Sequence, residues 1–170
     1  MLRRLGLGSA APRILGRRAA LVLLPALATL LFAVTFEQGM RGTDDLDYAD
    51  DAIALLGGEG SAPMLPPHHH DARLGVILPL AALFFAVGTS DLSITILPLA
   101  STVLTAALIA WLAGRVFGSR VGLAGGLLYA LIPMTVDLAT VCVPEPVLSL
   151  ALCAATAFYV LSAEDRHGIA

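Results

Sequence analysis

Long apolar runs alternate with short charged segments along the chain. Four of these runs hold between eighteen and twenty-three residues with at most one charge. Because roughly 20 apolar residues in a helix cross a hydrocarbon core of about 30 Å, each run is long enough to span a membrane. The predicted spans cover residues 19–36, 92–114, 121–143 and 147–163.

A fifth apolar run, Leu74 to Gly88, has only fifteen uncharged residues and contains Pro79. This length is typical of a re-entrant or interfacial helix. If the run does not cross, the arginine pair of "GRVFGSR" (residues 114–120) lies on the same side as the five arginines that precede the first span, as the positive-inside rule prefers. The pattern therefore predicts an all-α polytopic membrane protein with four transmembrane helices, juxtamembrane or re-entrant helices in the first outer loop, and both termini in the cytoplasm.

This topology assigns every part of the chain to one side of a membrane or to a span. Residues 37–91 form an outer loop with helices near 44–57 and 74–88, and residues 144–146 form an outer corner at the same face. The other segments are a cytoplasmic N-terminus (1–18), a cytoplasmic turn (115–120) and a cytoplasmic end (164–170).

Composition supports a membrane protein and excludes several other classes. The mean hydropathy is +0.86 and 14% of the residues are charged, against about 25% in soluble proteins. All ten basic residues are arginines scattered among apolar segments, so no basic stripe for nucleic acid is present. Cys142 and Cys153 lie in or beside predicted spans and read as packing residues, not as a disulfide or redox motif.

The first outer loop concentrates five carboxylates in "RGTDDLDYADD", residues 41–51. Thr43 can cap a short helix that has aspartates in its first turn and stops at Gly57-Gly58. Solvation of an outer loop explains most of the five acids, but Asp44 and Asp45 lie closest to the first span, where a lipid-borne substrate would present its head group. The apolar residues of this helix fall at Leu46, Ala49, Ile53 and Leu56, a stripe that would lie on the membrane surface or pack on other helices.

Other ionisable residues offer weaker candidates. The run "HHHD", residues 68–71, has ligand-type side chains at a contiguous spacing that suits a metal poorly, so it can instead form a polar collar or contact phosphate, a role that Arg73 would serve better. Glu145 lies between two prolines at the outer end of a span, and Asp137 lies inside one, where an ionisable residue marks a functional site or faces a polar cavity. The sequence has no G-x-S-x-G, Walker A or zinc-finger spacing.

The order of these features resembles the N-terminal part of the GT-C glycosyltransferases, in the branch of the dolichyl-phosphate-mannose protein mannosyltransferases and the lipid A aminoarabinose transferase. The resemblance covers about residues 15 to 163 and rests on motif order. The matching motifs are "DDLDY" (44–48) after the first span, "FFAVG" (84–88) at a corner, the basic turn "GRVFGSR", and "EP" (145–146) at an outer helix end.

The resemblance implies transfer of a sugar from a polyprenyl phosphate to a hydroxyl of a lipid, glycan or protein, with inversion, on the outer face of a bacterial-type plasma membrane. It implies Asp44 as the catalytic base, Asp45 as second choice, and Glu145 as the second acidic position. Tyr48 lies within the motif, Asp71 and Arg73 fall where many members carry an acid and a lysine, and His70 of the "HHHD" run is a candidate phosphate contact, so all four are predicted to bind substrate. No cofactor is assigned, and a divalent metal stays an open alternative.

Family members have more spans than the four predicted here, so we expect the chain to be a fragment of a longer enzyme that is inactive alone. The alternative from another class is a transporter or scaffold subunit, in which Asp137 would matter more than the loop acids.

Overall fold

The computed structural model describes residues 10–36, 44–57 and 73–167, with the side chains of residues 19–36, 44–57 and 73–164. All regular structure in these ranges is α-helical, which confirms the all-α prediction. The elements are α1 (Ala10–Thr35), α2 (Asp44–Leu55), α3 (Leu74–Val87), α4 (Asp91–Phe117), α5 (Ser119–Leu131), α6 (Pro133–Leu138) and α7 (Pro144–His167).

Two of the helices in the described ranges are long and apolar enough to span a membrane, namely α4 and the part of α7 from Pro144 to Glu164. The apolar part of α1, Ala19–Thr35, and α3 are shorter than a usual span. The predicted count of four spans is therefore not confirmed. At about 1.5 Å per residue, the 14 residues of α3 reach only about 21 Å, which fits an interfacial helix better than a crossing one.

The segment predicted as a span over residues 121–143 is not one continuous helix. The segment divides into α5 and the six-residue α6, with Ile132 in an extended conformation between them (φ −65°, ψ 121°). Proline disfavours the helical conformation of the residue before it, and at position 133 it opens the next helix because its missing N–H needs no partner there. The predicted cytoplasmic turn 115–120 is also shorter than expected, since only Gly118 separates α4 from α5.

Helix α4 is central and contacts α1, α3, α5 and α7. Leu21 of α1 meets Gly114 of α4, and one turn further along α1 Pro25 lies with Ala110, one turn earlier on α4, beside Gly126, so α1 and α4 are antiparallel. Arg115 near the end of α4 pairs with Glu164 near the end of α7, with Nη2 and Oε2 2.6 Å apart, so α4 and α7 are parallel. The starts of α4 and α7 consequently lie at one end of the bundle and the arginine-bearing α4–α5 turn lies at the other.

Polar residues stabilise both ends of helix α4. At its start, the hydroxyl of Ser90 accepts a hydrogen bond from the N–H of Ser93 (3.2 Å) and the N–H of Ser90 donates to the hydroxyl of Ser93 (2.8 Å), a reciprocal capping box. At its end, the Arg115 guanidinium lies 5.9 Å from the centroid of Trp111 while it bonds Glu164.

Helices α2 and α3 pack together at the end of the bundle where α4 and α7 begin. Their shared apolar cluster is completed by one residue of α4 and one of the α6–α7 loop. The buried members are Tyr48, Ala49, Ala52, Val76, Ile77, Leu80, Ala81, Phe84, Ile94 and Cys142.

Burial on α2 differs from the predicted apolar stripe. Of that stripe, Ala49 is buried and Ile53 half-buried, but Leu46 and Leu56 are exposed, and the enclosed face instead carries Tyr48 and Ala52. The short side chains of alanine allow α2 to approach α3 closely. This contact determines which face of α2 is buried.

Helices α4 and α5 approach so closely that glycine is required at the contact. A Cβ atom at Gly122 would lie 2.4 Å from the carbonyl oxygen of Ala110 and 2.5 Å from the backbone of Gly114. One turn later, a Cβ atom at Gly126 would lie 2.8 Å from Pro25 of α1. Small residues at a four-residue spacing are the usual means of close helix packing in membranes.

We expect Gly122→Ala to destabilise the bundle by about 1–3 kcal/mol, because the added methyl group meets backbone that cannot rotate away. Gly125→Ala is the matched control, since its Cβ atom would meet only the Ile109 side chain at an ordinary 3.7 Å. Removing a mid-helix glycine there should be neutral or stabilise by up to about 1 kcal/mol. Unfolding of both variants in detergent micelles, followed by circular dichroism, measures the difference, and equal stability of the two would contradict the proposed close contact.

Candidate functional site

Polar side chains gather where α2, α3 and the start of α7 meet, beside the apolar cluster described above. Tyr48 comes from the middle of α2, Arg73 is the residue before α3, and Glu145 lies in the first turn of α7. Asp44, the first residue of α2, lies one turn from Tyr48 on the same helix. The fold thus brings together residues separated by about a hundred positions in the sequence.

The centre of this site is a hydrogen bond from the Arg73 guanidinium to the hydroxyl of Tyr48. Tyr48 is 0% exposed, so its hydroxyl is held in one place by the surrounding helices. The guanidinium carbon lies 5.9 Å from the ring centroid, near the outer limit for a cation–π interaction, so the contact with the hydroxyl fixes the arginine. Arg73 itself is only partly buried, and its guanidinium has further N–H donors besides the one bonded to Tyr48.

Tyr48 lies close to one positive and two negative side chains, Arg73, Asp44 and Glu145. Burial raises the pKa of the Tyr48 phenol above its ordinary value. The hydrogen bond and positive charge of Arg73 oppose this increase, and the negative charges of Asp44 and Glu145 add to it. The phenol therefore stays neutral at physiological pH, with one cation and two acidic side chains close enough to influence it.

The neighbouring acids Asp44 and Asp45 lie in different surroundings. Asp45 is 1% exposed, and its Oδ1 accepts a hydrogen bond from the N–H of Leu46 at 3.1 Å. Asp44 is only partly buried. Of the predicted pair, Asp44 is thus the one that a molecule arriving from outside can reach.

The α6–α7 loop contributes Cys142, which lies close to Asp45. Burial raises the pKa of the Cys142 thiol to about 12, and the charge of Asp45 adds to the increase. A thiol in this state is not a nucleophile at neutral pH, so Cys142 has a packing role.

Glu145 is exposed and lines a pocket of about 290 Å³ between α4, α5, α6 and α7. Pro144 and Pro146 flank it and fix the backbone where α7 begins. The sequence analysis did not single out the hydroxyl-bearing residues of the pocket. Thr102 lines it, and the three-residue spacing of Thr102 and Thr105 on α4 is the signal that could have indicated a polar face.

Not all predicted residues meet here. His70 and Asp71 lie outside the described residues, as does the rest of "HHHD". Asp137 lines a different pocket, of about 350 Å³, with Phe32 of α1 and Phe36, the residue after α1. Within the ranges that the structure describes, no cluster of three or more His, Cys, Asp or Glu side chains could hold a metal ion.

The chain was compared with models of known protein families, with curated proteins and with solved structures. A family model described as dolichyl-phosphate-mannose-protein mannosyltransferase matches residues 76–169, more than half of the 170-residue chain. The matched segment holds α4 to α7, most of α3, and Glu145, while Asp44, Tyr48 and Arg73 precede it. No curated protein and no solved structure matches the chain significantly.

We expect Tyr48→Phe to lower stability by about 1–3 kcal/mol, because the Arg73 guanidinium loses its buried acceptor while the packing of the ring is kept. Tyr159→Phe makes the same chemical change at a side chain that is 74% exposed and should leave stability unchanged. Thermal unfolding of both variants in the same detergent measures the effect. If the two variants unfold alike, the hydrogen bond does not hold α2 against α3.

Proposed function

Because the chain belongs to the dolichyl-phosphate-mannose-protein mannosyltransferase family, we propose that it is a GT-C-type membrane glycosyltransferase that moves a sugar from a polyprenyl-phosphate donor to a hydroxyl acceptor, with inversion, on the outer face of a cell membrane. The observation that carries the proposal is the grouping of two accessible carboxylates, Asp44 and Glu145, around a guanidinium held by a buried tyrosine. One of the carboxylates accepts a proton, and the guanidinium stabilises a departing phosphate.

In this reaction the acceptor oxygen attacks the anomeric carbon from the face opposite the phosphate. The new C–O bond forms as the bond to the phosphate oxygen breaks, and the electron pair leaves with the phosphate. A carboxylate on the attacking side takes the proton of the acceptor hydroxyl. We assign this base to Asp44, since the 1% exposure of Asp45 keeps that carboxylate from an incoming acceptor.

Arg73 is the cation that we assign to the phosphate. Its guanidinium has five N–H donors in a planar fork, and the hydrogen bond to Tyr48 leaves others to face a bound anion. A fixed guanidinium costs little reorganisation when charge develops on the leaving group. Tyr48 was predicted to bind substrate, but a fully enclosed side chain has no surface for that contact, so its role in the proposal is to position Arg73.

Glu145 is the second acidic position of the site. It is exposed at the start of α7 and borders the 290 Å³ pocket, which places it between the polar group around Tyr48 and the interior of the bundle. From there it can orient a hydroxyl of donor or acceptor toward the base. The Asp137 pocket lies on the α1 side of α6 and has no part in this chemistry.

The outer-face assignment combines the bundle geometry with charge. Arg115 and Arg120 flank the α4–α5 turn, opposite the end that holds Glu145, and α1 starts at that same opposite end with three arginines in its first turns. Arginine in short loops favours the cytoplasmic side. Asp44, Arg73 and Glu145 then face outward, at the level where a lipid-linked sugar presents its head group.

Asp44→Asn should lower the turnover of sugar transfer by about 10²- to 10⁴-fold, because asparagine keeps the shape of the side chain but cannot accept the proton. The measurement is transfer from a radiolabelled polyprenyl-phosphate hexose in membranes that contain the full-length protein. Asp47→Asn, a change of the same kind one turn along α2, should retain activity. Wild-type rates in Asp44→Asn would exclude this residue as the base.

The proposed topology is tested by labelling. In a variant that lacks Cys142 and Cys153, single cysteines at Asp44 and at Glu145 should both react with a membrane-impermeant maleimide added to intact cells. A cysteine at Arg120 should react only after the membrane is opened. Labelling of Asp44 and Glu145 from opposite sides would remove the shared site.

A further inference from the structure

A small cavity lies between α1 and α5, at the end of the bundle opposite the candidate site. It has a volume of about 150 Å³. Three of its lining residues are exposed, so the cavity can be entered from outside the bundle. The lining consists of Ala20, Leu21 and Leu24 of α1 and Ser119, Arg120 and Leu123 of α5. The proposed sugar transfer uses none of these side chains.

The two arginines that flank the α4–α5 turn have different surroundings. Arg115 pairs with Glu164 and lies 5.9 Å from the ring centroid of Trp111. Arg120 is exposed and, within the ranges that the structure describes, takes part in no hydrogen bond or ion pair. Its guanidinium has five N–H donors in a planar fork that matches a phosphate, and Ser119 beside it adds a hydroxyl. The cavity therefore presents donors and a positive charge to an anion.

The size of the cavity and its apolar walls limit what that anion can be. At about 30 Å³ per water molecule, the volume corresponds to about five waters, which is room for a phosphate group but not for a whole phospholipid. The remainder of a lipid would lie outside, and α1 provides an apolar surface for it. Leu24, Leu27 and Leu31 follow at helical spacing from the cavity and are 50%, 58% and 67% exposed. An acyl chain can lie along this stripe.

The cavity lies at the level where a bilayer would place its head groups. Helix α4, which is long enough to span a membrane, ends at Phe117, one residue before the turn. Three more arginines, at positions 13, 17 and 18, lie in about two turns of α1 before the cavity. Arginine clusters beside a span, and basic pockets between spans on the cytoplasmic side, bind the head groups of anionic lipids.

We propose that the cavity between α1 and α5 binds the phosphate of an anionic phospholipid, such as phosphatidylglycerol, from the leaflet at the arginine-bearing end. Arg120 and Ser119 donate to the phosphate oxygens, and the leucine stripe of α1 contacts an acyl chain. A zwitterionic lipid has a cation beside its phosphate that would meet the same arginines, so a head group with net negative charge is preferred. This lipid site is separate from the proposed catalytic site, which lies at the other end of the bundle.

The experiment is native mass spectrometry of the full-length protein in detergent, titrated with dioctanoyl-phosphatidylglycerol. Wild-type protein should bind this lipid about tenfold more tightly than dioctanoyl-phosphatidylcholine. Arg120→Gln should weaken its binding about tenfold, the loss expected for one hydrogen bond between charged groups. The matched control is Arg115→Gln, which removes the same charge from the same turn but at an arginine that Glu164 already holds, and it should bind as wild type.

A second pair of variants tests the cavity with every charge kept. Ala20→Leu adds three carbon atoms to the lining and should also weaken binding of dioctanoyl-phosphatidylglycerol. Ala19→Leu makes the same change at the preceding exposed residue, outside the lining, and should leave binding unchanged. Circular dichroism checks that each variant is folded, and this pair decides the question if Arg120→Gln is not.

Equal binding of the two lipids by wild-type protein, or equal binding by Arg120→Gln and Arg115→Gln, would overturn the inference, because the arginines would then attract lipid only through their total charge. Glycerol 1-phosphate separates a lipid from a free phosphate. Its failure to displace the lipid at equal concentration supports the proposal, and full displacement would refute a lipid site. Asp44→Asn should bind the lipid as wild type, so loss of sugar transfer and loss of lipid binding are measured independently.

Discussion

The contact between α4 and α5 at Gly122 is the constraint on which the bundle depends. The two helices are joined only by Gly118, whose φ of 94° lies in the region that favours glycine, so the chain reverses direction within one residue. Such a short turn forces the helices together at once, and only a hydrogen atom fits where Gly122 faces Ala110. The turn and the close contact therefore require each other.

This close return fixes the other helices in order. Gly126 receives Pro25 of α1, which leaves the opposite side of α4 for α7 and α3. The parallel course of α4 and α7, with their far ends held by Arg115 and Glu164, aligns their starting ends. Helices α2 and α3 then pack at that end, and the polar group around Tyr48 arises from their meeting with α7. The site is accordingly a product of tertiary packing, with no two of its helices adjacent in sequence except α2 and α3.

The sequence indicates much of this arrangement because its strongest signals are local. A capping residue, first-turn aspartates and a terminal glycine pair predict α2, and a short apolar run predicts α3. The apolar length of α4 predicts a span. The break at Ile132 could be anticipated from Pro133, but a proline also occurs inside α1, α3 and α4 without ending them, so the residue type alone does not decide. Which of Asp44 and Asp45 is enclosed depends on the rotation of α2 against α3. That rotation follows from the packing of Tyr48 and Ala52 on α3, Ile94 and Cys142, a contact that the sequence of α2 does not encode by itself.

The start of α7 carries a further consequence of its two prolines. A helix normally begins with four backbone N–H groups that have no partner inside it and that hold water when exposed. Pro144 and Pro146 have no N–H, so the first turn of α7 offers about half the usual number of donors to solvent. A ligand that enters beside Glu145 thus displaces little tightly held water from the backbone. The desolvation cost of binding there falls mainly on the carboxylate, which can form a hydrogen bond with the ligand in return.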